Sequence, residues 1–279
     1  MKFLSFNGKI KKTMLLIPLL AMSVFPSITS AESVSNEELA KQSIKNYVEA
    51  ATSGDASEAT KWVIDTRFDN EQEQLKGYKE SLKDNPFSDA SIKEVVSASD
   101  ATYKATVELT RKDDGSINTV TYPIIKKGDS WKVLINGQQE TRSKKVEKLI
   151  QSQSQLKKNE SAIKPSAVEL TSYGDDLVKS GDHIYSNQKF NMTTSSVGIQ
   201  GWQQIMGSVS EMSVKYSVVD RGVFSDDEFG RTIHHGFNYW NGASFYETVN
   251  TGGQRVGVYL KITDLDSNTV RVRGHVYGN

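Results

Sequence analysis

The chain has 279 residues, 34 of them basic and 34 acidic, and no cysteine. A balance this even argues against nucleic acid as a bulk electrostatic partner, because that role wants a basic domain or stripe. Without cysteine there are no disulfides, no thiol chemistry and no cysteine-linked lipid, so burial alone must hold the fold together.

The first residues read as an export signal. Lys2, Lys9, Lys11 and Lys12 precede an apolar run over residues 14–25, and small residues follow to Ala31. The run is about a dozen residues, short of the ~20 that a spanning helix needs. Residues 1–31 are therefore expected to be a signal peptide, and the protein to be secreted and extracellular. Its style is that of Gram-positive exported chains, with cell-wall association as the finer expectation. Cleavage would remove four lysines and no acid, leaving 30 basic and 34 acidic residues. No later stretch is apolar enough to span a membrane, so no transmembrane segment is expected after signal removal.

Ser35-Asn36-Glu37-Glu38 is a capping-box pattern. Leu39, Ala40, Ile44, Tyr47, Val48 and Ala51 then recur at three- and four-residue steps, one face of a helix that Gly54-Asp55 stops. A short second helix is predicted over residues 56–64 and a polar third over 70–83, ended by Asn85-Pro86. The period then becomes two. A strand is expected over residues 92–97. Tyr103, Ala105, Val107 and Leu109 face one way on the next, Val120, Tyr122 and Ile124 mark its return, and Trp131, Val133 and Ile135 another. Helices followed by an antiparallel meander read as α+β.

That order, closing with YPIIKKGDSWKVLING (residues 122–137), resembles the nuclear transport factor two-like superfamily over residues 36–137. The resemblance implies a cone-shaped α+β domain, helices against a curved antiparallel sheet, spanning residues 32–137. Its members include isomerases and dehydratases that use acid/base residues inside the cone, and also non-catalytic binding or assembly modules. This segment holds no histidine, and Asp65 is the one acid placed beside an apolar run, Trp62-Val63-Ile64. The resemblance is carried as a fold. Tyr47, Asp65, Tyr103 and Tyr122 are the lining expected if a cone pocket is open.

Residues 138–166 are rich in Lys, Gln and Ser and read as a polar, partly helical linker. Residues 167–279 are expected to form an all-β sandwich. Residues 199–206 are expected to make a short helical turn presenting Trp202 and Ile205. Met212, Val214, Tyr216 and Val218 alternate with Glu211, Ser213, Lys215 and Ser217, one strand. Asp226-Asp227-Glu228 reads as a solvated acidic loop, with calcium binding at a sandwich rim as its competing use.

The stretch HHGFNYWNGASFYETV (residues 234–249) is dense in rings. Asn241-Gly242 is a strong signal for a two-residue hairpin turn. In that register Phe237 faces Tyr246, and Trp240 stands exposed beside the turn. His234 and His235 point to opposite faces and cannot chelate one ion. No metal and no cofactor are expected.

At the C-terminal end, Val256, Val258, Leu260 and Ile262, then Val270, Val272 and Val276, all fall on even positions. Paired as a hairpin, even against even, they put Lys261 opposite Arg271 and Tyr259 opposite Arg273. The outward face then reads Arg255, Tyr259, Lys261, Arg271, Arg273, His275 and Tyr277. With Trp240 these are the candidate ligand-binding residues, a basic-aromatic surface for an anionic partner. No catalytic motif is present: no Gly-x-Ser-x-Gly, no phosphate loop, no His-Glu-x-x-His. The expected function is an exported, non-enzymatic binding protein whose partner is a cell-envelope polymer or a protein. The alternative is an enzyme or small-molecule carrier using the cone pocket. A third reading is a toxin-like effector that docks on membranes.

Overall fold

Ser35 caps helix α1 (Asn36–Ser53), its hydroxyl accepting the Glu38 N–H at 3.1 Å, and Gly54 ends it in the left-handed region at φ 82°. The computed structural model to which these elements belong describes residues 34–156, 168–206, 212–237 and 242–278. The expected signal peptide lies outside the described residues. On α1 the predicted stripe of Ala40, Ile44, Tyr47, Val48 and Ala51 is buried, while Leu39 is exposed.

Helix α2 (Ala56–Lys61) is shorter than predicted, because residues 63–65 leave it as strand β1 (Val63–Asp65). Asn70 caps α3 (Glu71–Ser81) by accepting the Glu73 N–H at 3.0 Å. The meander is β2 (Phe87–Ser99), β3 (Thr102–Arg111), β4 (Ile117–Lys127) and β5 (Ser130–Ile135). The five strands form a sheet in the order β1-β5-β4-β3-β2, antiparallel except where β1 pairs with β5. Three register shifts between β2 and β3 are bulges of the kind that bend a sheet. The period-two faces of β3, β4 and β5 are buried in one cluster with the α1 stripe.

The polar connector opens with a two-residue strand β6 (Glu140–Thr141) and continues as helix α4 (Lys144–Leu156). Its remainder, residues 157–166, lies outside the described residues. The described part of the rest is strand and turn: β7 (Val168–Val178), β8 (His183–Tyr185), β9 (Phe190–Met192), β10 (Ser196–Ile205), β11 (Ser213–Arg221), β12 (Asp226–His235), β13 (Phe245–Asn250), β14 (Arg255–Asp264) and β15 (Val270–Gly278). One sheet has the order β13-β10-β15-β7, and a second runs β6-β12-β11-β14-β8 with β9 beside β14. They share one apolar core. Val197, Ile199, Val272 and Val276 enter it from the first sheet, and Val214, Tyr216, Leu260 and Ile262 from the second.

Four expectations are corrected here. Residues 199–206 are not helical: 199–205 belong to β10, whose inward positions are Val197, Ile199, Gly201 and Gln203. A glycine and a glutamine at two of those positions hide the alternation. Gly201 is required there: a Cβ on it would lie 2.2 Å from the buried Tyr173 hydroxyl. Gln203 is satisfied by the Tyr216 hydroxyl at 2.9 Å and the Gly236 carbonyl at 2.8 Å.

The C-terminal hairpin does not form, and the described strands on either side of Asn241-Gly242 do not pair with each other. β14 pairs with β11, β8 and β9, whereas β15 pairs with β10 and β7. Likewise β12 pairs with β11 and β13 with β10, in different sheets. The reason is physical. Periodicity states which side of a strand is buried, and a chain that crosses over the core keeps the same side inward in either sheet. Trp240 and Asn241 lie outside the described residues.

β11 is buried on both sides, and Lys215 and Ser217 are enclosed with its apolar residues. Finally, Asp226-Asp227-Glu228 is no solvated loop. It opens β12, with each residue 5% exposed or less.

Candidate functional site

The acidic triplet explains how the two halves meet. Asp226 and Asp227 each receive an arginine from the first half of the chain, and Glu228 receives one from the connector. The Arg67 guanidinium donates to Asp65 at 2.9 and 2.6 Å and to Asp226 at 2.8 Å, and all three side chains are fully buried. Arg111, at the end of β3, grips Asp227 with two bonds of 2.7 and 3.1 Å. Arg142 reaches Glu228 at 2.9 Å. The second oxygen of Asp226 accepts the Tyr185 hydroxyl at 2.6 Å and pairs with Lys261 at 3.0 Å. Burial pushes the Asp226 carboxyl up, but Lys261 and Arg67 outweigh it and hold the group below the usual carboxylate range.

Between β11 and β12 the chain turns through residues 222–225 and sends Val223 and Phe224 into the core of the first half. The Phe224 ring meets Tyr47 and Phe87 edge-on, with centroids 6.2 and 5.9 Å apart. The Tyr47 hydroxyl donates to the Val223 carbonyl, and that of Tyr122 to the Phe224 carbonyl at 2.7 Å. Asp65 accepts from Arg67 and from the Tyr78 hydroxyl at 3.0 Å. Tyr103 packs edge-on against Trp131 at 5.1 Å. Three of the four residues named as pocket lining are thus buried with their polar groups engaged, and Phe224 fills the space beside Tyr47.

The seven strand residues named as a ligand surface separate into four places. Lys261 is 1% exposed and pairs with Glu140 at 2.6 Å as well as Asp226, with its ammonium also donating to the Gly137 carbonyl. Tyr259 is half-buried under the Arg221 guanidinium, 3.8 Å from its ring centroid. Arg255 opens β14 and lies over the Phe229 ring at 4.4 Å. Arg271, Arg273, His275 and Tyr277 alternate with the buried Val270, Val272, Gly274 and Val276, and so share the outer face of β15.

On that outer face the register adds neighbours that the sequence reading missed. Trp202 stands opposite Arg273, Gln204 opposite Arg271, and Gln200 between His275 and Tyr246. The Arg273 guanidinium lies 5.3 Å from the Trp202 ring centroid, a cation–π distance. The Trp202 indole N–H donates to the Gly242 carbonyl at 3.1 Å, and the Gln200 amide to Ser244 at 2.9 Å. His275 lies 3.0 Å from Glu169 of β7 and 6.1 Å from the Tyr277 ring. All of these side chains keep partial solvent access. The outcome is a sheet face carrying rings, amides and guanidinium groups on three adjacent strands. The missing signal was the β10 alternation obscured by Gly201 and Gln203.

His234 and His235 do diverge. His234 stacks on Phe245 at 4.1 Å and bonds Glu247 at 3.1 Å, whereas His235 meets the Ser213 hydroxyl at 2.9 Å.

No family model matches the chain, and no curated protein sequence does. Among solved structures it is similar to a nuclear transport factor two-like protein of unknown function from Shewanella oneidensis, at 22% identity, covering 35% of this chain and 93% of that one, with a TM-score of 0.27. It is also similar to a ketosteroid isomerase-like protein from Erwinia carotovora atroseptica, at 19% identity, covering 36% and 92%, with a TM-score of 0.24. A de novo designed protein with a curved β-sheet matches at 10% identity over 44% and 99%, with a TM-score of 0.29. These likenesses are loose, and the fold described above rests on the chain's own strand pairing.

Proposed function

We propose that this chain is an exported, non-enzymatic binding protein whose ligand surface is the outer face of the β13-β10-β15-β7 sheet. The observation that carries the reading is the company on that face: Trp202, Tyr246 and Tyr277 beside Arg271, Arg273 and His275. Ring faces cover apolar ligand surface at low entropic cost, amides bond hydroxyl groups, and guanidinium groups take carboxylate or phosphate. An anionic cell-envelope polymer, or an acidic protein surface, presents that chemistry. In this reading residues 1–31 direct export, residues 32–137 are a nuclear transport factor two-like cone, residues 138–166 link, and residues 167–279 are a β-sandwich that carries the face. An enzyme or carrier working through the cone has less support, because Phe224 packs against Tyr47 and the tyrosine hydroxyls are engaged.

The test is retention of the secreted protein on isolated cell envelopes at low and high salt. Arg271→Glu with Arg273→Glu, and separately Trp202→Ala, are expected to remove salt-sensitive retention while the far-ultraviolet circular dichroism stays unchanged. Retention that persists in both variants removes the proposal.

A further inference from the structure

A second site stands where the two halves meet. Helix α4, the β3–β4 turn, β12 and the start of β14 line an open cavity of about 750 Å³. That is within the range of pockets that take small organic ligands, ~300–1,000 Å³. Val146, Leu149 and Phe229 give it apolar wall, and Lys145, Lys148 and Arg255 give it cations.

The charges around the cavity are not equivalent. Its acids are already committed. Asp227 and Asp113 pair with Arg111, and Glu228 pairs with Arg142. Asp114 accepts from Ser116 and from the Lys144 backbone N–H at 2.8 Å. The cations are not: among the described residues, Lys145, Lys148 and Arg255 have no carboxylate within ion-pairing distance. The Arg255 guanidinium donates only to carbonyls, Thr251 at 2.9 Å and Gln254 at 3.2 Å, and its Nε–H is buried with no acceptor. Burial pulls its pKa below the ordinary arginine value. A partly buried guanidinium whose Nε–H has no acceptor has no paired anion to offset its desolvation, and a carboxylate suits such a group.

We propose that this cavity binds an amphiphilic anion, a carboxylate head on a short hydrocarbon tail, with the head at Arg255 and the tail against Val146, Leu149 and Phe229. The site is separate from the sheet face. It uses no residue of that face, and either can exist without the other.

The probe is decanoate, titrated calorimetrically into the full exported chain, with decanol, acetate and inorganic phosphate as comparisons. Saturable one-to-one binding of decanoate is expected, with decanol, acetate and phosphate each at least about ten-fold weaker, since each lacks the head or the tail. Leu149→Trp, which fills the cavity from its half-buried wall, is expected to abolish binding, and Arg255→Gln to weaken it about ten-fold. The paired Arg271→Glu and Arg273→Glu variant is expected to bind decanoate as the natural chain does. Absence of saturable decanoate binding, equal binding of decanol or phosphate, or undiminished binding by Leu149→Trp overturns the proposal. Phosphate binding alone, lost with Arg255→Gln, would mean a simple anion site and also overturns it.

Discussion

The Tyr122 hydroxyl donates to the Phe224 carbonyl at 2.7 Å across 102 positions of sequence. Together with the Tyr47–Val223 bond it fastens a turn of the second half inside the first. A buried phenylalanine at such a joint fills space that neither half fills alone. Phe224→Ala is expected to cost about 3–5 kcal/mol, the range for emptying a buried aromatic site. Tyr122→Phe, which leaves the Phe224 carbonyl without its donor, is expected to cost about 1–2 kcal/mol. Urea denaturation read by tryptophan fluorescence measures both. A loss under about 1 kcal/mol for Phe224→Ala would mean that the turn is not seated there in solution.

The ion network beside that turn makes a different demand. Asp226 serves Arg67 and Lys261 at once, with all three side chains enclosed. Removing the carboxylate leaves buried Arg67 with Asp65 alone and Lys261 with Glu140 alone, and breaking such a group costs up to about 3–5 kcal/mol. Asp226→Ala is therefore expected to be among the most destabilising single changes in the chain. Lys261→Met is expected to lower stability as well, yet to leave envelope retention of the folded protein unchanged, because Lys261 does not reach the outer face. Calorimetric melting with the retention assay separates the two effects. Lost retention in a folded Lys261→Met protein would return that lysine to the ligand surface.

How far the sequence speaks is visible at particular residues. Ser35, Gly54 and Asn70 announce their helix ends because capping is local chemistry, settled within three or four residues. The period-two runs of β3, β4, β5 and β15 are likewise legible, since they state which side meets a core. What was hidden is everything set by distant partners. Lys261 and the acidic triplet look solvated until Arg67, Arg111 and Glu140 arrive from far away in sequence. The proposed ligand face was half legible: Arg271, Arg273, His275 and Tyr277 are on the outer side of β15, but Trp202 and Gln200 come from a strand whose inward side contains Gly201 and Gln203.

Gly201 gives a test of that strand. It stands opposite Gly274, and the two leave room for the Tyr173 hydroxyl. A methyl group at Gly201 meets that hydroxyl and the Phe245 ring at once, so Gly201→Ala is expected to cost about 1–3 kcal/mol through overpacking. Thermal melting by circular dichroism is the measurement. A neutral result would mean that Gly201 faces out and that Trp202 points inward, which would remove the sheet face with it.

Asp220 and Asp227 stand directly opposite one another on β11 and β12. Asp227 has Arg111, whereas Asp220 has no ion-pair partner among the described residues. Burial first, and the facing Asp227 second, push the Asp220 carboxyl up to about 6, with Asp226 and Asp84 adding and Arg67 opposing. A carboxyl raised in the folded state binds its proton more tightly than the unfolded chain does. Its contribution to stability is therefore favourable at acid pH and is lost as pH rises from about 4 through 6. Asp226 and Glu140, both held below the carboxylate range, act oppositely, but their stabilisation is lost only on falling below about pH 4. Asp220→Asn removes the penalty without changing shape. Because Asp220 keeps some solvent access, the gain at pH 7.5 is on the order of 1 kcal/mol, less than the full shift would give. Urea midpoints at pH 5 and pH 7.5 should differ less in Asp220→Asn than in the natural chain. An asparagine variant that is weaker at pH 7.5 would show that the carboxylate is paired after all.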